Sequence, residues 1–215
     1  MKTRFSKFFN LPELINMFKE VADIKTADML NLPVPNAHYQ NVAVKPSDIQ
    51  KELVESLGER AQKIRDGTVD PHEDNMLKIT NDGRKLALDQ RLINELLPEN
   101  KNSKVNACIK NILKIYHATV VEKSTQLVFC DMSTPRNDAF NVYDEIRNKL
   151  LEEGILESEI AYIHNAKTDV KKKELFSKVR EGKVRILIGS TGKMGAGRIG
   201  FPASGNLPHP RDRAE

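Results

Sequence analysis

The stretch Val184–Gly197, VRILIGSTGKMGAG, decides how this chain is read. Val184, Ile186, Leu187 and Ile188 make a short apolar run, closed by Ser190, Thr191 and glycines at 192, 195 and 197. A run of this length between polar breakers is the pattern of a strand buried on both faces. Where such a strand meets glycines and small hydroxyls, bare N–H groups stand at the carboxyl end of a parallel sheet. That is where α/β domains hold phosphates. Beyond it, Arg198–Glu215 contains three prolines and two glycines and no apolar period. The next strand of such a sheet is not legible there.

Working outward, the upstream sequence alternates strand and helix. Gln126 to Cys130 is a continuous apolar strand, followed by a polar loop, Asp131 to Pro135. Phe140 to Leu151 has helical spacing, Ile160 to His164 is a second short strand, and Asp169 to Val179 is a helix. Asp169 is its candidate N-cap and Gly182 its stop. Val105 to Tyr116 places Val105, Cys108, Ile109, Ile112, Leu113 and Tyr116 on one stripe of a further helix. This succession predicts right-handed crossovers and a parallel sheet flanked by helices.

The first hundred residues read differently. Leu11 to Leu30 is helical, with Asn10 as N-cap, and Leu32-Pro33-Val34-Pro35 must be extended. His38 to Val44 alternates as a short strand, and Ser47 to Arg65 is a helix. Met76 to Leu97 predicts a helix broken at Asn81-Asp82-Gly83, a turn signal. The polar stretch Pro98 to Ser103 sets a boundary. Residues 1–100 are thus a mostly helical region, 101–197 a partial α/β lobe and 198–215 an irregular tail.

With 215 residues, 39% hydrophobic and 30% charged, the chain supports one sizeable core and little more. Net charge is only +4, but Lys171 to Lys173, Lys178, Arg180, Lys183 and Arg185 crowd together, as a polyanion-binding edge would. Cys108 and Cys130 are too few for a disulfide framework or zinc cage and read as buried free thiols. No stretch approaches the roughly 18 apolar residues of a membrane span, and the N-terminus carries no signal peptide. The expected location is the cytoplasm.

Several motifs fail on context. Gly195-Ala196-Gly197-Arg198-Ile199-Gly200 matches a dinucleotide fingerprint, but no helix can start in the proline-rich sequence after it. Gly192-Lys193 is not a phosphate loop, because Leu187 and Met194 occupy the positions needing glycine and a hydroxyl. No acidic pair for magnesium follows a strand. Asp131, Ser133 and His164 lie past strand ends, yet Ser133 has no strained glycine elbow, so a hydrolytic triad is disfavoured. His72 among carboxylates in a turn reads as solvated.

Taken in order between residues 127 and 197, the segments resemble a family. Leu127-Val128-Phe129-Cys130-Asp131-Met132-Ser133-Thr134 resembles motif IV of superfamily-2 helicases. His164-Asn165-Ala166-Lys167 with Lys171 to Lys173 and Phe176 is similar to the family's "HG…R…F" helix. Gly182 to Thr191, running into Met194-Gly195-Ala196-Gly197, resembles motif V. Pro46-Ser47-Asp48-Ile49-Gln50 is similar to the "SP..Q" that opens the second motor lobe of Swi/Snf-type members. Arg84-Lys85-Leu86 to Leu92-Ile93 and Ser103-Lys104-Val105 look like their connecting segments. The closest resemblance is to the large helicase- and methylase-like proteins of bacterial phages and conjugative elements, over Thr3 to about Gly197.

The resemblance implies the second RecA-like lobe of a DNA-dependent ATPase, incomplete at its C-terminal edge. Ser133, Thr134, His164, Lys167, Ser190, Thr191 and Lys193 would then face the DNA backbone, and Gly195 and Gly197 the nucleotide. ATP and magnesium belong to the intact parent, with the first lobe supplied by the same or a neighbouring chain. None is expected on this chain alone, since P-loop, acidic pair and motif VI arginines have no counterpart; Arg211 and Arg213 lack the motif VI surroundings. The abrupt loss of pattern after Gly197 is that of a frameshifted or truncated gene. The competing expectation is a protein-interaction module, whose open sheet edge would pair with a partner or a second copy.

Overall fold

The computed structural model describes residues 9–25, 29–30, 37–135 and 139–194. The extended segment at 32–35, the glycines at 195 and 197 and the tail from 198 lie outside the described residues. Contacts divide the chain into two compact units, one holding residues 9–30 of the described set and the other 37–194. In the first, α1 (Leu11–Val21) is shorter than the periodicity predicts. Asn10 sits at its N-cap in a left-handed conformation, with no side-chain capping bond.

The second unit opens with an irregular segment, 37–47, where a strand was expected at 38–44. Alternation makes a face, but a strand also needs a ladder partner, and no described strand pairs with this one. Then come α2 (Asp48–Arg65) and α3 (Met76–Leu88). Ser47 and Gln50 form a reciprocal capping box: the Ser47 hydroxyl accepts from the Gln50 amide at 3.1 Å, and the Gln50 side chain accepts from the Ser47 amide at 3.0 Å. Buried Gln50 also donates to the Leu86 carbonyl at 2.8 Å and accepts from Asn100 at 3.1 Å. Ser47 donates to Gln90 at 2.7 Å, and Gln90 donates to the Pro98 carbonyl at 2.7 Å. The Ser47–Gln50 motif thus holds together α2, the end of α3 and the connection at 90–100.

α3 runs unbroken through Asn81-Asp82-Gly83. A turn signal acts only where nothing opposes it, and here α2 does: Arg60 pairs with Asp82 at 3.0 Å and with Asp74 at 2.7 Å, and Leu57 lies 3.7 Å from where a Cβ on Gly83 would stand. The connection after α3 is not a loose linker either. A one-turn 3₁₀ helix (Gln90–Leu92) places Arg91 between buried Asp89 and Glu145, each at 2.9 Å, with its guanidinium 4.2 Å over the Phe140 ring. Compactness therefore begins at residue 37, whereas composition places a boundary near 100.

The remainder is α4 (Lys104–Ala118), β1 (Gln126–Phe129), α5 (Val142–Glu152), β2 (Ile160–Tyr162), α6 (Asp169–Arg180), β3 (Ile186–Gly189) and a short α7 (Thr191–Met194). The strands form one parallel sheet in the order β1-β3-β2, with Gln126 and Ile160 both opposite Ile186. This is an α/β fold with a small parallel sheet between helices, consistent with an incomplete RecA-like lobe. Every residue of β3 is buried. Ile186 and Ile188 join the cluster built by Val105, Ile109, Tyr143 and Leu150 of α4 and α5, and Leu187 joins Phe176, Val179 and Met194 on the other face. The period of two along a strand delivers alternate residues to two cores.

Two sequence expectations change. α6 is capped by Thr168, whose hydroxyl accepts from the Lys171 amide, not by Asp169. Arg185 does not join a cationic edge. It is 3% exposed, donates to the Tyr116 and Thr119 carbonyls at 2.9 Å each and stacks 3.9 Å over the Tyr116 ring.

Gly189 ends β3 where space runs out: a Cβ there would stand 2.4 Å from Ile163 Cγ2 and 2.8 Å from Met194 Sδ. Gly189→Ala should cost about 1–3 kcal/mol by overpacking. Gly192→Ala, with nothing within 4 Å, should stay within about 0.5 kcal/mol. Urea unfolding of both variants checks the contrast.

Candidate functional site

Because β1, β2 and β3 are parallel, their carboxyl ends open onto one rim. Three segments build it: Cys130 to Pro135 after β1, the 3₁₀ turn Ile163–Asn165 with Ala166 to Thr168 after β2, and Ser190 with α7 after β3. The topology thus brings Ser133, Thr134, His164, Lys167, Ser190, Thr191 and Lys193 to one end of the sheet. Gly195 and Gly197 lie outside the described residues.

Two of the hydroxyls expected to face phosphate already have partners. Asp131 accepts from the Thr191 amide through Oδ1 at 2.7 Å and from the Thr191 hydroxyl through Oδ2 at 2.8 Å. A carboxylate on the first amide of a short helix is favoured by charge and by the free N–H there. Ser133 adopts a left-handed φ of 58°, and its Oγ accepts from the Val142 amide at 2.9 Å, at the start of α5. Asn141 caps the same helix by accepting from the Asp144 amide at 2.8 Å. Thr134 lines a cavity of about 250 Å³ with Ser133, Lys85 and Arg91. Lys167 and Lys193 are exposed.

His164 sits between these groups. Its ring meets Tyr143 edge-on, with centroids 5.4 Å apart, and its Nδ1 is buried without a hydrogen-bond partner. Loss of hydration, then the Lys193 charge, holds its pKa below the ordinary imidazole value. Tyr143 donates to the Cys130 carbonyl at 2.6 Å, and burial keeps its phenol protonated well above the usual range. No hydrogen bond joins Asp131, Ser133 and His164, so the three form no proton relay. Cys108 and Cys130 are free and half-buried, and burial raises both thiols.

A magnesium ion does not fit this donor set. Asp131 is the rim carboxylate and both its oxygens hold Thr191, and among the described residues no group of three or more His, Cys, Asp or Glu could hold a metal. No described helix is long and apolar enough to cross a membrane. Sequence reading placed Lys85 and Arg91 only within a connecting segment and missed that both reach the Thr134 cavity. It noted Asp131 but not its pairing with Thr191, which arises only when β1 and β3 become neighbours.

The cluster Lys171 to Lys183 is also less basic than it reads. Lys172 pairs with Asp169, Lys178 with Glu174 and Lys183 with Glu181, at 3.4, 2.9 and 2.7 Å. Compared with known proteins, the chain matches no family model and no curated protein.

A histidine held below its ordinary pKa takes up its proton more readily in the unfolded chain, so stability is full above that ordinary value and falls as pH drops through it. Melting temperature should therefore fall between about pH 7 and pH 5. Lys193→Ala should raise the His164 titration midpoint seen by NMR and weaken the fall. A midpoint unmoved by the substitution would contradict the placement of Lys193 beside the ring.

Proposed function

We propose that this chain is the second lobe of a DNA-dependent ATPase of the superfamily-2, Swi/Snf type, which grips the DNA backbone and needs a first lobe to hydrolyse ATP. One observation carries the reading. The segments that resemble motif IV, the "HG" turn and motif V follow β1, β2 and β3 and converge on one rim. Phosphates are bound by cations, hydroxyls and backbone amides without reading the bases. Lys167, Lys193, Thr134 and Ser190 supply the first two kinds and are not held by a side-chain partner among the described residues. Arrival of a phosphate at Ser133 or Thr191 would replace an oxygen that each amide or hydroxyl already meets. ATP turnover would draw its P-loop and metal carboxylates from another lobe.

A second reading, an interaction module without nucleic-acid activity, draws support from β1. Among the described residues this strand is bonded to β3 on one side only, and Phe129 at its end is half-exposed. Copies or a partner strand would pair there. Dimerisation that rises with concentration, with no DNA affinity, would favour that reading.

Titration of binding to a random duplex separates the two. Affinity should be measurable at about 50 mM salt and fall steeply by about 200 mM. Lys167→Ala with Lys193→Ala should lower the logarithmic salt slope by about 0.9 per lysine. No binding at the lower salt would count against the DNA reading.

A further inference from the structure

Cations without an ion-pair partner among the described residues lie within the sequence cluster, at Lys171, Lys173 and Arg180, and also outside it. Arg84 on α3, Lys104 and Lys110 on α4, Lys101 just before α4 and Lys45 before α2 have no ion-pair partner among the described residues. They line three adjoining depressions. The first, about 350 Å³, holds Arg84 and Lys104 beside Asp131 and Met132 at the rim. The second, about 370 Å³, shares Lys104 and runs between α4 and β1. The third, about 330 Å³, shares Ala107 with the second and holds Lys45, Lys101 and Lys110. Asp131 is the one carboxylate lining any of the three, and both its oxygens already accept from Thr191.

We propose that this trough carries a duplex DNA backbone from the rim across the α4 side of the lobe, as a second set of phosphate contacts. The inference rests on the DNA reading above and extends it to residues outside the segments that resemble motifs IV and V. Charge complementarity names the occupant: five cations and no free carboxylate favour a polyanion. Lysines are point charges on flexible stems, which meet phosphates rather than base edges. Lys104 and Lys110 are six residues apart on α4, about 9 Å along the axis. That separation lets the two lysines meet different phosphates of one backbone. The trough begins where the rim ends, at Asp131, so the two contact sets need no gap in the strand.

The test uses the full chain and a labelled random duplex, with binding followed against salt. It compares the parent, a trough variant (Lys45→Ala, Lys101→Ala, Lys110→Ala) and a rim variant (Lys167→Ala, Lys193→Ala). All five lysines are exposed, so above about pH 7, where His164 is neutral, both variants should keep the parent's circular dichroism and melting temperature. The trough variant should lower the logarithmic salt slope by about 2.7, and the rim variant by about 1.8. A trough variant with the parent's slope beside a weakened rim variant overturns the trough and leaves the DNA reading standing. The reverse result upholds the trough and overturns the rim contacts. No binding by the parent overturns both. Vesicles containing phosphatidylserine form the last arm: parent binding tighter than to the duplex, lost in the trough variant, assigns the surface to a membrane and overturns the DNA inference.

Discussion

Hydrogen bonding of β3 on both its edges organises the rest of the molecule. Ile186 to Gly189 pairs with β1 on one side and β2 on the other, and its side chains point alternately into two cores. A strand in that position leaves no room for a polar residue inside it and none for a side chain at its end. The chain meets both demands, with an apolar run and with glycine at 189, against Ile163 and Met194. The turn that follows is therefore tightly placed, and Thr191 comes within reach of Asp131 in the segment after the neighbouring strand.

A polar set does for the upstream half what β3 does for the downstream half. Ser47, Gln50, Gln90 and Asn100 close a ring of hydrogen bonds between α2, α3 and the connection into α4. Arg91 with Asp89 and Glu145, and Lys149 with Glu99 and Glu145, continue it onto α5. Buried polar groups are stable only when their partners are complete, and these side chains span 102 residues of sequence, from Ser47 to Lys149.

The parts legible in the sequence are those set by local pattern. The three strands, the helices α4, α5 and α6 and the parallel pairing follow from apolar period and from crossover length. Ser47 and Gln50 stood out only through the "SP..Q" resemblance, and neither the cap they form nor its reach to Leu86 was read from the sequence. What escaped depends on neighbours: Asn81-Asp82-Gly83 reads as a turn until Arg60 and Leu57 are set against it, and 38–44 reads as a strand until a partner is sought. Charge was least legible of all. Arg185 counts as a cation in the sequence but is enclosed by Tyr116 and Thr119, while α6 carries its own carboxylates. The rim residues were found by order along the chain, and their internal bonding became visible only in three dimensions.

Ser133 gives the rim a particular character. Its oxygen occupies the Val142 amide as a phosphate oxygen would, in a backbone conformation that residues with a side chain seldom adopt. The rim's amides are accordingly satisfied by the protein's own oxygens, from Ser133 and Asp131. On the proposed reading a phosphate would enter by exchange, matching each bond it displaces, and the displaced Asp131 carboxylate would have to turn away from it. Discrimination would then fall on geometry: an anion that cannot reproduce the serine and aspartate positions together would leave the protein's own contacts the better choice.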